Sequence, residues 1–171
     1  MTRAQAAAGS LLFLLVAPGV VAGLLPYWIT GWESHDPPLV LQVLGIALIA
    51  AGSAVLLAAF ARFVREGIGT PAPVAPTEHL VVGGLYRHVR NPQYLAVGST
   101  ILGQALLLGR AVLLAYLATF AAAMVAFVHG YEEPTLQRRY GAEYDAYRRE
   151  VRRWLPTPAR GRASRARGRP G

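Results

Sequence analysis

The sequence predicts an all-α, polytopic membrane protein with about four transmembrane helices and a C-terminal amphipathic helix. Three observations predict it. Hydrophobic residues make up 54% of the 171 positions and charged residues only 15%, with a mean hydropathy of +0.35; a soluble domain so apolar could not cover itself with polar surface. Several apolar runs approach the ~20 residues a helix needs to cross a ~30 Å hydrocarbon core. The arginines gather on the segments that would share one membrane face. This length has room for one domain, taken as residues 1–156. Residues 157–171 read as a disordered tail in which Arg160, Arg162, Arg165, Arg167 and Arg169 alternate with small residues.

The first span runs over residues 9–29 without a charge. It is too long for the apolar region of a signal peptide, and no clear small-residue cleavage site follows, so it reads as a retained helix. Pro18 and Gly19 are expected to kink it, a feature that neighbouring helices can accommodate. A polar loop at 30–38 holds Glu33, His35 and Asp36 and no Arg. The second span covers 39–64, where Gly45, Ala50, Ala51, Gly52 and Ala54 suit close helix packing. Residues 65–92 are too polar to cross the bilayer and open on a Gly- and Pro-rich loop. Such a long connection in so small a protein points to function or disorder.

Two apolar segments follow, 94–108 and 111–128, separated only by Gly109 and Arg110. They form a tight helical hairpin, its first arm short for a full crossing. The chain then turns polar at His129, and 132–154 reads as the amphipathic helix. Orientation follows from Arg near the span ends. Arg3, the 65–92 segment and the C-terminal region, which holds eleven Arg from Arg138 onward, fall on one side, with Arg110 the single exception. Both termini and the long loop are therefore expected in the cytoplasm, in the inner membrane of a bacterium. The basic tail is read as an anchor for anionic lipid headgroups, with no nucleic acid as partner.

The chain has no Cys, which excludes disulfides, thiolate metal sites and cysteine nucleophiles. His35 and His129 have no second ligand at metal spacing, so no metal is expected. Trp28, Trp32 and Trp154 fall at expected interfaces, the usual aromatic-belt position.

Polar side chains near lipid are costly, so their placement is informative. Here they flank the hairpin: Glu78-His79-Leu80-Val81 through Tyr86 and Arg90-Asn91-Pro92-Gln93-Tyr94 on one side, His129 to Pro134 on the other. Because the tip is at the far side, the two open ends adjoin, which brings Arg90, Asn91 and Tyr94 close to Glu132 and Glu133. A plain reading competes with a functional one. Asn91 could be an N-cap with Pro92 at the first helical position, and the glutamates could pair with Arg138 or Arg139 on a solvated surface.

The segment Gly84-Leu85-Tyr86, Arg90-Asn91-Pro92, Tyr94 resembles the G-x-Y-x-x-x-R-[HN]-P-x-Y signature of the isoprenylcysteine carboxyl methyltransferase and phospholipid methyltransferase families. Downstream, Glu132-Glu133, Leu136, Tyr140-Gly141, Tyr144 and Tyr147 are similar to those families' acidic-pair tail, closed by Pro156. The resemblance covers residues 76–156. It implies S-adenosylmethionine as cofactor, held at the cytoplasmic membrane face, and a lipid or small lipophilic acceptor that enters from the bilayer. It implies cofactor contacts at Glu78, His79, Leu80, Val81, Tyr86, Arg90, Asn91, Pro92 and Tyr94, and catalytic roles for Glu132 and Glu133. The chemistry suits such residues. A zwitterionic sulfonium needs carboxylate, cation and ring, and methyl displacement needs alignment and desolvation more than an enzyme nucleophile.

Three positions depart from the family pattern. Ala96 stands where Gly is usual, Val128 stands where the lipid-carboxyl enzymes have Arg, and the second span lacks a G-x-G motif. Tyr140, Gly141, Tyr144 and Tyr147 suit packing better than ligand binding. Two other readings remain in view: a non-catalytic membrane module with the same architecture, and a nicotinamide-dependent membrane reductase, against which the short length argues. The oligomeric state is not legible.

Overall fold

The computed structural model describes residues 9, 12, 13, 16–62, 80 and 82–156. Among them every regular element is helical. Helix α1 covers Val16–Thr30, α2 Leu39–Arg62, α3 Pro92–Leu108 and α4 Val112–Phe127. A single 3-10 turn, Gly84–Arg87, precedes α3. The last helices are α5, Glu133–Tyr140, and α6, Ala142–Glu150. Among the described residues two helices are long and apolar enough to cross a membrane, Leu39–Arg62 and the continuous run Val112–Tyr140. Helix α1 is a shorter apolar helix and α3 has 17 residues, short for a crossing as its sequence suggested.

The helices run alternately up and down, so one end of the bundle collects Arg62, the 3-10 turn, the start of α3 and the end of α4. The opposite end holds the 30–38 loop and the hairpin tip. There the His35 amide donates to the Leu108 carbonyl at 2.9 Å, and Arg110, the exception in the charge pattern, meets the His35 ring at 2.6 Å with Glu33 4.0 Å away. Gly109 makes the tip possible: its φ of +65 closes α3, and Pro37 lies against it.

The seam between α2 and α3 is the tightest among the described residues. A Cβ on Gly45 would sit 2.6 Å from the Gly103 carbonyl, and one on Gly52 2.6 Å from the Ala96 carbonyl. Real Cβ atoms do not approach so closely, so the helix backbones touch only because these positions are glycine. Ser99 adds a bond across the seam to the Leu48 carbonyl at 3.0 Å. Ala96, which stands where Gly was expected, is 2% exposed and turns its carbonyl toward Gly52 in this seam.

Helix α1 is irregular one turn later than Pro18 and Gly19 suggested. A π turn occupies Val20–Leu24, followed by Pro26. Proline has no N–H, so the carbonyls of Val21 and Ala22 lose their ordinary partners. Both are satisfied by side chains from other helices: the Tyr116 hydroxyl donates to Val21 at 2.7 Å and the Gln104 amide to Ala22 at 2.7 Å. Both carbonyls are partly buried among apolar side chains, where an unmet acceptor would cost stability.

A second π turn, Val128–Glu132, joins α4 to α5 and is followed by Pro134. The amphipathic helix expected over 132–154 is broken here into three pieces. Gly141, at φ +49 and ψ −120, separates α5 from α6, and the chain is extended from Val151. Gln137 braces the break by donating to Asp145 at 2.9 Å.

Candidate active site

The site forms where the start of α3 meets the end of α4. The adjacency expected from the hairpin holds in the structure. Tyr94, in the first turn of α3, donates its hydroxyl to Glu132 Oε2 at 2.8 Å. Arg90, just before the helix, places Nη1 2.8 Å from Glu133 Oε1. Pro92 is buried at the first helical position, as its sequence context suggested.

Asn91 occupies the N-cap position, but its side chain makes no capping bond. Its amide instead donates to the Arg153 carbonyl at 3.2 Å, while the Arg90 backbone N–H donates to the Arg152 carbonyl at 3.0 Å. The signature thus binds the extended segment after α6 and draws it over the site. The simple capping reading of Asn91 fails for this reason.

That segment supplies a residue the sequence did not mark. Arg153 grips Glu133 with both arms of its guanidinium, Nε to Oε1 at 2.8 Å and Nη2 to Oε2 at 2.7 Å. Its remaining Nη1 meets His129 Nε2, and His129 Nδ1 lies 2.8 Å from the Val125 carbonyl. A carbonyl only accepts and a guanidinium only donates, so the Nδ1–H tautomer satisfies both. The expected pairing of the glutamates with Arg138 or Arg139 does not form. Arg138 contacts Thr135, and Arg139 lies over the Tyr140 ring.

Glu133 therefore accepts three charge-assisted bonds from two arginines, whereas Glu132, among the described residues, accepts one from a neutral phenol. Adjacent in sequence, the two carboxylates differ sharply in their compensation. Trp154 leans toward Tyr94, ring centroids 6.4 Å apart.

Tyr86, in the 3-10 turn, is buried and accepts from Gln93 at 2.8 Å. Its carbonyl accepts the Tyr147 hydroxyl at 2.6 Å. Burial pushes both phenols up from their ordinary range, so they act as neutral hydrogen-bonding groups. Tyr144, 2% exposed, accepts from Arg90 Nη1 at 3.1 Å. Tyr144 and Tyr147 thus brace the signature as packing residues. A cavity of about 370 Å³ adjoins Tyr86, lined by Ala58, Ala59, Ala61, Arg62, Gly84 and Leu85. Gly84 is required there, because its φ is +57 and Arg62 Nε would lie 3.2 Å from any Cβ.

Of the remaining candidates, Leu80 is partly buried, and Glu78, His79 and Val81 lie outside the described residues. The basic tail also lies outside them. Tyr147, read in the sequence as a packing residue, braces Tyr86 in that role, whereas neither Gln93 nor Arg153 had been given a role. Only the last had a signal, an Arg close to the closing Pro156.

A phospholipid methyltransferase family model matches residues 40–143, well over half of the chain. No curated protein and no solved structure matches it.

Proposed function

The chain belongs to the phospholipid methyltransferase family, and from that premise we propose that it moves the methyl group of S-adenosylmethionine onto a lipid or small lipophilic acceptor at the cytoplasmic face of a bacterial inner membrane. Family membership supports the coarser part, a lipid-directed methyltransferase. The observation that carries the finer part is the Tyr94–Glu132 pair at the open end of the hairpin.

The donor set fits the cofactor. Glu132 holds a carboxylate whose described partner is a neutral hydroxyl, so its charge is available to a sulfonium. Tyr94 and Trp154 put rings beside it. The small apolar side chains around the cavity next to Tyr86 suit an adenine or an acyl chain. When bound, the cofactor supplies an electrophilic methyl carbon. The chain's own residues orient, desolvate and handle a proton.

Val128 is 1% exposed and fills the position where an Arg would orient a carboxylate acceptor. An amine fits this site better. The new N–C bond forms as the C–S bond breaks, the sulfur keeps the electron pair, and the acceptor nitrogen gives up a proton that Glu132 can take. Arg90, Asn91 and Pro92 serve this chemistry by fixing the start of α3 and the extended segment. Four crossings with both termini in the cytoplasm would put the site where a water-borne cofactor and a membrane-borne acceptor meet.

The test is incubation of the full chain in bilayer nanodiscs with methyl-labelled S-adenosylmethionine and a bacterial lipid extract. Label should enter aminolipids, as read by mass spectrometry. Label confined to carboxylate-bearing lipids would overturn the amine assignment, and absence of any labelled lipid would overturn the activity.

A further inference from the structure

We propose that Arg153 is a positioning residue of this site: it neutralises Glu133 and so leaves Glu132 as the carboxylate that meets the cationic group of the ligand. The inference rests on the cofactor reading above and goes beyond the family match, which ends at residue 143.

Four observations carry it. Arg153 spends all three of its guanidinium nitrogens within the site, two on Glu133 and one on His129. Arg90 completes the shell of Glu133 at 2.8 Å, and the Glu133 side chain is only 14% exposed. The segment that bears Arg153 is fixed by backbone-directed bonds from Arg90 and Asn91, so its placement is specified independently of the ion pair. Glu132 is held instead by Tyr94 from the other arm of the hairpin. Two glutamates at one point would present two negative charges and would repel each other. With both arginines directed at Glu133, the compensation falls on one carboxylate and the net attraction for a cation on the other. A fork of this kind needs Arg, because Lys offers only a point charge.

The measurement is a charge-specific double-mutant cycle. S-adenosylmethionine and S-adenosylhomocysteine differ by one methyl group and one positive charge at sulfur, so the ratio of their affinities reports the charge at that point. Calorimetry on the full chain in detergent would cover the natural protein, Arg153→Gln, Arg153→Lys, Glu133→Gln and Arg153→Gln/Glu133→Gln.

Removal of the Arg153 charge leaves Glu133 undercompensated, so Arg153→Gln should raise the preference for the sulfonium, on the order of tenfold. Glu133→Gln should lower it, and the double variant should return it to the natural value. Arg153→Lys should keep the ratio while both affinities fall. A parallel loss for both ligands in Arg153→Gln, with the ratio unmoved, would make Arg153 a structural brace and overturn the proposal. If the natural protein binds neither compound, the cofactor reading fails and this inference with it; binding with an unmoved ratio defeats the inference alone.

Discussion

Two bends in this molecule are built alike. Val20–Leu24 and Val128–Glu132 are both π turns, and in each a proline stands six residues after the start, Pro26 and Pro134. Each proline withholds an N–H from the carbonyls five and four residues before it. At the first bend, Tyr116 and Gln104 reach in from α4 and α3 and satisfy both carbonyls. At the second, no described side chain donates to the carbonyls of His129 and Gly130; the turn instead presents Glu132 and Glu133 to the mouth of the hairpin. One backbone device thus serves as a joint between helices and, elsewhere, as a platform for charge. The first is closed by its neighbours; the second sets two carboxylates at the open end of the hairpin, and π turns often occur at functional sites.

The contrast can be tested, from the largest effect to the smallest. Glu132→Ala should lower methyl transfer at least about a hundredfold and abolish measurable S-adenosylmethionine binding, with the melting temperature little changed. Turnover near that of the natural protein would remove the second bend from the chemistry. Next comes a paired exchange, Pro134→Ala against Pro26→Ala. Each restores an N–H. At the second bend the straightened helix displaces the acidic pair, and turnover should fall about tenfold. At the first bend the restored donor duplicates bonds already present, and turnover should hold. Equal losses in both would mean that the prolines act through the bundle rather than through the site.

The smallest effects test the joint itself. Gln104→Leu leaves the Ala22 carbonyl without its donor and should cost about 1 kcal/mol of stability. Tyr116→Phe should cost about 0.6 kcal/mol, the usual worth of an interhelical hydrogen bond in a membrane. Thermal unfolding in detergent measures both, and neither variant should alter the ratio of turnover to folded protein.

What could be read from the sequence divides along the same line. The hairpin was legible because two residues, Gly109 and Arg110, separate two apolar runs, and topology then obliges its open ends to meet. The nearness of Arg90 and Tyr94 to Glu132 and Glu133 follows from that alone; which partner takes which does not. The close seam was legible in part, since Gly45 and Gly52 stand two helical turns apart. The bracing of the first bend was not. Gln104 and Tyr116 lie far along the chain from the carbonyls they serve, and an isolated Gln in an apolar run does not announce its partner. Arg153 was hidden among other arginines, where composition gives every member the same topological role. The break at Gly141 was overlooked because the polar run around it keeps a helical pattern on either side. Charge and hydropathy set which groups must come near one another; they do not set which carboxylate takes which guanidinium.

The glycine seam has a consequence for depth. It brings Gly52 level with the Ala96–Thr100 turn of α3. From that level α2 continues about 15 Å to Arg62, whereas α3 extends only about 9 Å to its start at Pro92. Helix α3 therefore begins roughly one turn short of the level that Arg62 reaches on α2. Two glycines with no chemistry of their own thus set the level at which the head of α3, and the Tyr94–Glu132 pair with it, stands against α2.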